Sequence, residues 1–451
     1  MDLRDKSILV VGFGKTGQAT CRFLLKQGAR VTVTDRRKRL DIPDNISERQ
    51  VRFETGRHTV ETFLGHDLIV ISPGVPMVLR GIIEAQAQGI EVISEIELAY
   101  RFLNAPLIAL TGTNGKTTTT ELIGHMFSQA GKTVFVGGNI GTPLIDYVTS
   151  GKHADYVIAE ISSFQLEGIK HFRPRVSVLL NITEDHLDRY PSFDDYAATK
   201  AKIFLNQSRD DFAVLNHDDP RVQALGQQTE AETYYFSTAQ SLKQGAYDDG
   251  ACHILRPQQE AVDFSLAGAH LVGTHNTENM LAAAMVGSIC NLPPKTIQES
   301  LLHFKGLPHR MEFVAEVNGI RFYNDSKGTN VGACLKSIES LHTPIVLIAG
   351  GKDKGGSYQP LRDAVTKSTK AVVLIGEARE RIHSELEHVV PTLFADSLIK
   401  AVEAAYAQAA PGDAVLFSPA CSSFDMFKNY EHRGECFKDL VKVLKQATGK
   451  R

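Results

Sequence analysis

The chain has 451 residues, of which 43% are hydrophobic and 22% are charged, and its formal net charge is −3. This length predicts two to four domains of an ordinary globular protein, and the near-neutral charge excludes a strongly basic nucleic-acid-binding surface. No apolar run reaches the roughly 18 residues of a membrane span, and the opening MDLRDKSILVVGFG predicts a strand instead of a signal peptide. We therefore expect a cytoplasmic monomer with neither nucleic acid nor a membrane as partner.

The N-terminal residues combine a strand with a glycine-rich turn. The apolar run SILVV ends in GFGKTG, which places Gly12, Gly14 and Gly17 in G-x-G-x-x-G spacing. Asp35 ends the next apolar run. This pattern binds a phosphate at a helix N-terminus and sets an acid near a ribose or base. An NAD-dependent oxidoreductase is one hypothesis, although the pattern does not demand nicotinamide and also suits a nucleotide-linked substrate.

Apolar, β-branched runs separated by helical patterns recur along the chain. Uninterrupted apolar strands of this kind are typical of parallel sheets that are covered by helices on both faces. We therefore predict an α/β fold throughout. The predicted strands are 7–11, 31–34, 68–71, 107–110, 134–136, 156–160, 176–180, 345–350, 371–376 and 414–420.

The segment LTGTNGKTTTTE, residues 110–121, is close to a phosphate-binding P-loop but lacks the first glycine of the usual motif. It follows a predicted buried strand and opens a helical pattern. Gly112 and Gly115 would let backbone N–H groups face phosphate oxygens. Lys116 would reach the terminal phosphates, and the hydroxyl of Thr117 would ligate Mg²⁺. The alternative is a threonine-rich turn, but strand, glycines, Lys-Thr and helix together favour nucleotide binding.

Acidic and imidazole side chains follow the next predicted strands. Glu160 ends the strand YVIAE, and Asp185 and His186 follow the strand VSVLL. Ligands of α/β sheets bind at the carboxyl ends of the strands. Each residue alone suits a cap or an ordinary surface position, but together beside a P-loop they predict a metal site.

The segment DDYAATKAKIFLNQ predicts an amphipathic helix. Lys200 lies four residues after Tyr196, on the face of the helix that carries the tyrosine. An ammonium group there would repel magnesium held by Glu160 and His186. From the sequence alone, Lys200 is therefore predicted to extend to solvent or to pair with a phosphate.

Two segments predict joints between domains. Residues 94–106 separate one strand-helix series from the strand before the P-loop. Residues 304–330 contain a Gly-Leu-Pro connection and then two alternating strands around Asn318-Gly319, a hairpin signal. Residues 222–262 are polar and irregular, which predicts surface structure in the middle domain. The predicted domains are 1–96, 97–306 and 307–451.

Short motifs that are specific in combination are spread over nearly the whole chain: GTNGKTTT, GGNIGTPL, EISSFQLE, NITEDHLDRY, YAATKAKIF, THNTENMLAA, LPHRMEF and NDSKGTN. Together they resemble the Mur ligase family, whose members share an ATP-dependent, amide-forming reaction on UDP-linked muramic acid. The resemblance implies an N-terminal Rossmann-like domain for the UDP substrate, a central P-loop ATPase domain with a parallel sheet, and a C-terminal Rossmann-like domain for the amino acid.

Further segments resemble one branch of this family, which adds D-glutamate to UDP-N-acetylmuramoyl-L-alanine: GFGKTG, SPGVP, NDSKGTN and SPACSSFDMFKNYEHRGECF. The partners implied are UDP-N-acetylmuramoyl-L-alanine, D-glutamate and ATP. ATP would convert the substrate carboxylate to an acyl phosphate, which the amino group of D-glutamate would attack. Lys116 and two Mg²⁺ ions would offset the negative charge of the phosphates.

The resemblance also implies roles for individual residues. The implied catalytic residues are Lys116, Glu160, His186 and Lys200. The implied ATP-binding residues are Gly112, Thr113, Asn114, Gly115, Lys116, Thr117, Thr118, Asn276, Asn279, Arg310 and Asp325. The implied UDP-substrate-binding residues are Lys15, Thr16, Asp35, Arg36, Gly74, Asn139, Gln165 and His186. The implied D-glutamate-binding residues are Lys327, Thr329, Lys354, Ser423 and Tyr430. The implied magnesium ligands are Thr117, Glu160, His186 and Lys200, the last as a carbamate that CO₂ forms on its amine.

Several alternatives stay open at the level of sequence. The loop GGKDKGGS makes Lys352 an alternative to Lys354. A ligase that adds another amino acid, or glutamate to a folate, would share the P-loop and Lys200, although folate ligases lack the N-terminal uridine-type site. A non-catalytic P-loop switch protein would not need Lys200 or the acidic cluster.

Overall fold

The structure is a computed structural model that describes residues 1–47, 49–186, 189–271, 273–353 and 355–448. Within these residues the chain forms three sheets in two compact units. The first unit comprises Met1–Ala267 and Thr277–Leu302, and the second comprises Gly268–Asn276 and the chain from His303 onward. None of the helices in this described part has the length and apolar character needed to cross a membrane. The α/β class is confirmed, whereas the domain bounds stay a prediction.

The first sheet is entirely parallel and begins at the N-terminus. Its strands are β1 (Ser7–Val11), β2 (Arg30–Asp35), β3 (Val51–Thr55), β4 (Leu68–Ile71) and β5 (Glu91–Ser94). Its helices are α1 (Lys15–Lys26), α2 (Val60–Leu64), α3 (Arg80–Ala87) and α4 (Glu95–Tyr100). The strand order β3-β2-β1-β4-β5 reverses direction beside β1. Ligands bind outside the carboxyl ends of strands at such a switch point, so the turn after β1 lies where a substrate site is expected.

The second sheet has a buried parallel centre. Its strands are β6 (Leu107–Thr111), β7 (Val134–Gly138), β8 (Tyr156–Glu160), β9 (Val176–Leu179), β10 (Phe212–Asn216), β11 (Glu232–Ser237), β12 (Gly245–Asp248), β13 (Cys252–Leu255) and β14 (Val262–Phe264). Its helices are α5 (Lys116–Gln129), α6 (Leu144–Ser150), α7 (Ser163–Leu166), α8 (Phe193–Ala201) with a 3₁₀ turn at Lys202–Phe204, α9 (Pro220–Gly226), α10 (Thr274–Ile289) and α11 (Pro294–His303). The order β14-β13-β12-β11-β10-β9-β6-β8-β7 places β6 between β8 and β9, so the ends of these three strands lie side by side.

The polar segment 222–262, predicted as surface structure, forms mainly strands toward one edge of the second sheet. Strands β11 to β14 extend the second sheet, and β12, β13 and β14 pair in antiparallel fashion at its edge. Several of these strands alternate polar and apolar residues because one face is exposed. They therefore lack the continuous apolar run by which the central strands were recognised.

The third sheet lies in the second unit. Its strands are β15 (Glu312–Val317), β16 (Ile320–Asn324), β17 (Ile345–Gly350), β18 (Thr369–Ile375), β19 (Thr392–Phe394) and β20 (Ala414–Phe417). Its helices are α12 (Val331–Glu339), α13 (Arg362–Ser368) after a 3₁₀ turn at Gln359–Leu361, α14 (Arg379–Leu386), α15 (Leu398–Gln408) and α16 (Tyr430–Thr448). The predicted hairpin is confirmed, since Val317 pairs with Ile320 across Asn318 and Gly319, both of which have positive φ.

Buried carboxylates of α4 join the first two sheets within the first unit. Glu97 is 0% exposed and accepts the backbone N–H groups of Lys170, His171 and Phe172 at 2.9 to 3.1 Å. Glu95, 1% exposed, accepts the N–H of Ile145 at 2.7 Å. Burial raises the pKa of Glu95 to about 7. One continuous hydrophobic core runs from β1 through β10, so the polar contacts and the apolar contacts both cross from one sheet to the other.

Gly434 in α16 marks a close approach between elements of the second unit. A Cβ atom there would lie 2.1 Å from Nδ1 of the His309 ring, which is 4% exposed. Gly434→Ala is therefore expected to destabilise the fold by about 1–3 kcal/mol, because the buried ring has to shift. Gly332→Ala in α12 is the matched control, since its Cβ would meet only the Asn330 side chain at 3.5 Å.

Thermal unfolding of the two variants measures this difference. The control should equal or exceed the wild type, because alanine is the better helix former. A Gly434→Ala protein as stable as the control would contradict the close packing.

Candidate active site

The P-loop lies between the end of β6 and the start of α5. Gly112 and Gly115 have φ of +153° and +83°, which favours glycine at both positions. A Cβ on Gly115 would also lie 2.3 Å from Oδ1 of Asn279. The Lys116 ammonium donates to the carbonyl oxygens of Gly112 at 2.8 Å and Thr113 at 2.9 Å. The Lys116 ammonium and the first N–H groups of α5 therefore lie close together, an arrangement that suits phosphate binding.

Asn181, the second residue after β9, holds the P-loop from the neighbouring strand. Its Oδ1 accepts the N–H of Asn114 at 2.8 Å, and its Nδ2 donates to the carbonyl of Asn114 at 3.1 Å. Its backbone carbonyl accepts the N–H of Thr113 at 2.9 Å. Sequence reasoning missed this residue. The available signal was a polar side chain directly after a buried strand in NITEDH.

Glu160 ends β8 directly beside the P-loop strand and is 2% exposed. Its Oε2 accepts the hydroxyl of Thr117 at 2.8 Å, and its Oε1 accepts Nδ2 of Asn139 at 2.8 Å. The structure therefore brings together three residues that the sequence placed in the site. A hydroxyl and a carboxylate in contact are the oxygen donors that Mg²⁺ prefers, so Thr117 and Glu160 fit a magnesium ion.

Lys200 of α8 points inward, and its residue is 2% exposed. Its ammonium donates to the carbonyl of Gly112 at 2.8 Å and lies 4.7 Å from the centre of the Tyr196 ring. The prediction that it shares a face with Tyr196 is confirmed, and the prediction that it extends to solvent is wrong. Burial, followed by the charge of Lys116, lowers the pKa of Lys200 to about 7. The neutral amine is therefore well populated near neutral pH.

His186 follows β9 on an aromatic cluster next to Lys200. Its ring lies 4.8 Å from that of Phe164 and 6.2 Å from that of Tyr196. Its side chain is 44% exposed, and its Nε2 lies 3.6 Å from Oδ2 of Asp185. His186 has a φ of +54°. Tyr196 is a neighbour of both the His186 ring and the Lys200 ammonium. This shared neighbour places His186 near the P-loop, because Lys200 bonds to Gly112.

The turn after β1 is tightly built around its glycines. A Cβ on Gly17 would lie 2.0 Å from the carbonyl oxygen of Gly12, and the hydroxyl of Ser72 donates to the same oxygen at 3.0 Å. Gly14 caps the N-terminus of α1, where Lys15 and Thr16 begin the helix. The Lys15 ammonium binds the carbonyl of Gly141 from the loop after β7.

The carboxylate of Asp35 is held by the chain around it. It accepts the N–H of Phe13 at 2.8 Å and binds the guanidinium of Arg37 at 2.8 and 3.0 Å. Arg37 holds the pKa of Asp35 well below its usual range. The sequence did not lead us to Arg37, although this residue lies only two positions after Asp35. The predicted Arg36 and Gly74 are both exposed, Arg36 directly after β2 and Gly74 in the loop after β4.

Gln165 makes its described hydrogen bonds at the start of α7. It is 2% exposed, and its Oε1 accepts the N–H and the hydroxyl of Ser162 at 2.9 and 3.0 Å. These bonds complete a capping box at the start of α7. The described contacts of Gln165 are therefore those of a helix cap.

In the second unit, Asp325 follows β16 and is 6% exposed. It accepts the hydroxyls of Ser337 and Ser418, both at 2.7 Å, and the N–H of Met311 at 3.3 Å. Burial raises the pKa of Asp325 to about 6, and the hydrogen bonds from Ser418 and Ser337 oppose that rise. Of the two asparagines predicted to bind ATP, Asn276 belongs to this unit and Asn279 to the first, and both are buried.

Predicted amino-acid-binding residues gather at the carboxyl ends of β16 and β20. The Lys327 ammonium lies 4.0 Å from the centre of the Tyr430 ring. The N–H of Thr329 donates to the carbonyl of Lys327 at 2.8 Å, and Ser423, 2% exposed, follows β20. Lys354 lies outside the described residues.

Arg433, which sequence reasoning missed, joins these two strand ends. Arg433 is 1% exposed. Its guanidinium donates to the hydroxyl and carbonyl of Ser326 at 3.0 and 2.8 Å and to the carbonyl of Cys421 at 3.1 Å. Burial lowers its pKa to about 10. A buried arginine with this fork of bonds fixes the two loops relative to each other.

Known protein families match all three sheets in turn. Residues 6–94 match the Mur ligase MurD-like N-terminal domain, residues 110–287 match the Mur ligase middle domain, and residues 309–421 match the Mur ligase glutamate ligase domain. The order of the three matches is the order of the three sheets.

Relatives match over the full length. A UDP-N-acetylmuramoylalanine--D-glutamate ligase of Geotalea uraniireducens (strain Rf4) is 51% identical over 453 residues, which covers 100% of both chains. A protein of the same name from Caldanaerobacter subterraneus subsp. tengcongensis is 43% identical and covers 99% of this chain and 100% of its own.

Solved structures show the same fold at low identity. A pseudomurein peptide ligase type C from Methanothermus fervidus aligns with a TM-score of 0.59 at 20% identity, covering 98% of this chain and 100% of its own. A UDP-N-acetylmuramate-alanine ligase from Thermotoga maritima aligns with a TM-score of 0.57 at 18% identity, with the same coverage. The resemblance predicted from the short motifs is confirmed, and the chain belongs to the Mur ligase family.

Proposed function

We propose that this protein is an ATP-dependent ligase that joins D-glutamate to UDP-N-acetylmuramoyl-L-alanine in peptidoglycan precursor synthesis. The observation that carries the proposal is the contact of three groups with the P-loop: the Lys116 and Lys200 ammonium groups both bond to the Gly112 carbonyl, and Glu160 accepts the hydroxyl of Thr117. A ligase needs such a cluster because a carboxylate is a poor acyl donor until a phosphoryl group activates it. The name shared by full-length relatives at 43–51% identity supports the choice of substrates.

The first step proposed is phosphoryl transfer. The backbone N–H groups of the P-loop and the Lys116 ammonium bind the phosphates of ATP, where they offset charge on the transferred group. A carboxylate oxygen of the UDP substrate attacks the terminal phosphorus, and the bond from that phosphorus to ADP breaks. The product is an acyl phosphate.

The second step proposed is amide formation. The amino group of D-glutamate attacks the acyl carbon and gives a tetrahedral intermediate, which loses inorganic phosphate as the nitrogen loses a proton. Lys327, Thr329, Ser423 and Tyr430 are proposed to bind the amino acid in the second unit, together with Lys352 or Lys354. Lys352 is half exposed and bonded to Glu377 at 3.0 Å.

The proposed metal ligands follow from the donor set. Thr117 and Glu160 would hold one magnesium ion, and Glu160, His186 and Lys200 as a carbamate would hold a second. Magnesium supplies charge neutralisation to the crowded phosphates and carboxylate. The buried, partly neutral amine of Lys200 favours the carbamate, because CO₂ reacts with an uncharged amine.

For the UDP end of the substrate, the residues proposed are those around the turn after β1 and the loop after β7. They are Lys15, Thr16, Asp35, Arg36, Gly74 and Asn139, with Gln165 and His186 toward the muramoyl portion. The contact of Lys15 with Gly141 supports this grouping, because it joins the two loops.

A coupled assay of ADP release tests the proposed function. Each UDP-muramoyl precursor is combined with D-glutamate, L-alanine or L-lysine in turn. Release that requires both UDP-N-acetylmuramoyl-L-alanine and D-glutamate is the expected result. Release with a different pair would overturn the substrate assignment.

Lys327→Ala is expected to raise KM for D-glutamate much more than KM for the UDP substrate. Loss of the cation from a bound carboxylate costs about 2–5 kcal/mol, and the Tyr430 ring holds this ammonium in place. Steady-state kinetics with each substrate varied in turn measures the split. Lys442→Ala, which removes an exposed charge from α16, is the control and should leave both constants unchanged. Equal increases for both substrates would refute the role of Lys327.

A further inference from the structure

Arg381 of α14 binds the loop that follows β17. Its guanidinium donates to both carboxylate oxygens of Asp353, at 3.2 and 2.9 Å. It also donates to the carbonyl oxygens of Gly355 at 3.2 Å and Gly356 at 2.6 Å. An arginine fork that binds a carboxylate and two carbonyls fixes both the charge and the course of a loop.

The same loop is joined to the strand end that carries Ser423. The N–H of Lys352 donates to the carbonyl of Ser422 at 2.9 Å. The hydroxyl of Tyr358 contacts both Asp353 Oδ1 at 3.3 Å and the sulfur of Cys421 at 3.1 Å. Tyr358 itself is 3% exposed and lies under the Arg381 guanidinium, 5.7 Å from ring centre to Cζ. Substitution of Arg381 would therefore also disturb the segment that follows β20.

The negative charge of Asp353 is unfavourable at this position unless a neighbouring positive charge compensates it. It stands between two lysines in GGKDKGGS, either of which is a candidate partner for a substrate carboxylate. Lys352 is already paired with Glu377 at 3.0 Å, so an uncompensated aspartate would add a further negative charge to the loop and would repel an amino acid that carries two carboxylates. The Gly355 N–H, at 3.0 Å, and then the Arg381 guanidinium hold the pKa of Asp353 below its usual range, so it stays ionised.

We propose that Arg381 is a positioning residue for the incoming amino acid. It compensates the charge of Asp353 and fixes the described backbone of the loop after β17 beside the segment that carries Ser423, where D-glutamate is proposed to bind. This inference rests on the proposed function, because it concerns the binding of D-glutamate. Arg381 itself touches no reacting atom.

The test is steady-state kinetics of Arg381→Ala with each of the three substrates varied in turn. KM for D-glutamate should rise about tenfold, the cost of losing charge-assisted hydrogen bonds, while KM for ATP and for the UDP substrate stays within about twofold. Arg381→Lys keeps the charge but loses the fork, so an intermediate KM for D-glutamate is expected.

Arg379→Ala is the matched control. Arg379 lies on the same helix, and its ion pair is with Asp396 at 2.8 Å, away from the loop after β17. The control should keep all three KM values. A KM for D-glutamate in Arg381→Ala equal to that of the control, or equal increases for all three substrates, would overturn the proposal.

Two further comparisons keep the result interpretable. If thermal unfolding shows that Arg381→Ala is poorly folded, the lysine variant is decisive, and a wild-type KM for D-glutamate in that variant overturns the proposal. Wild-type protein that releases no ADP with D-glutamate would refute the proposed function. An active wild type with unaffected variants refutes only the role of Arg381.

Discussion

Lys116→Ala is expected to abolish ADP formation while the protein stays folded. The Lys116 ammonium bonds to two carbonyl groups of the P-loop itself, so its charge lies where the terminal phosphates of ATP are proposed to bind. Removal of one preorganised group that stabilises transition-state charge costs about 10²–10³-fold in turnover, and a full positive charge at a phosphoryl group lies at the upper end. ADP release measures the loss.

Lys132→Ala is the control for this experiment. Lys132 is exposed just beyond the end of the same helix, α5. Its removal changes the net charge equally and should leave turnover unchanged. Circular dichroism of both variants separates loss of chemistry from loss of fold. Near-normal ADP release by Lys116→Ala would remove the basis for placing ATP at this loop.

Lys200→Arg is expected to be nearly inactive although it keeps a positive charge. A carbamate forms when the neutral amine attacks CO₂, a new N–C bond is made and the nitrogen loses a proton. A guanidinium does not undergo this step, and the buried space beside Gly112 would then hold a cation where an anion is needed. We expect a loss above about 100-fold, the most that is seen for groups that merely support a metal ligand.

The arginine variant separates the two readings of Lys200. If the ammonium simply paired with a phosphate, arginine would replace it with little loss, since it is the better phosphate binder. Lys202→Arg, just beyond the end of α8, is the control and should be fully active.

A direct readout does not depend on turnover. Protein equilibrated with ¹³CO₂ should show a carbamate carbon by NMR that is absent from Lys200→Arg. An active arginine variant, or a wild-type spectrum without this signal, would end the carbamate hypothesis.

The sequence predicted the centre of each sheet better than its edges. Strands such as β1, β6 and β8 are continuous apolar runs because they are buried on both faces. The edge strand β3 reads VRFET, and β11 mixes polar residues with aromatics. Such strands owe their conformation to pairing with a neighbour, which their own composition does not reveal. The edge strand β15 was predicted because the Asn318-Gly319 turn joins it to β16.

The residues of the candidate site also differ in how far the sequence alone could identify them. Residue type and strand context were enough to place Lys116 and Glu160 in the predicted site, whereas the proposed role of Lys200 came only from the resemblance to the family. Asn181 and Arg37 act only through partners that the tertiary structure brings to them, at the P-loop and at Asp35. The inward direction of Lys200 also depended on the fold, because a lysine on a helix face points to solvent unless neighbouring elements cover it.

The buried carboxylates of α4 limit where the genes of two relatives can be joined to make a chimeric protein. An exchange between two homologous genes with its junction after α4 would part Glu97 from the three N–H groups it accepts, unless the recipient supplied the same backbone there. A stranded buried carboxylate costs several kcal/mol. A junction between β5 and α4 keeps Glu95 and Glu97 with their own backbone partners, so it is the less costly place to join two relatives, provided that the hydrophobic core running from β1 to β10 still matches.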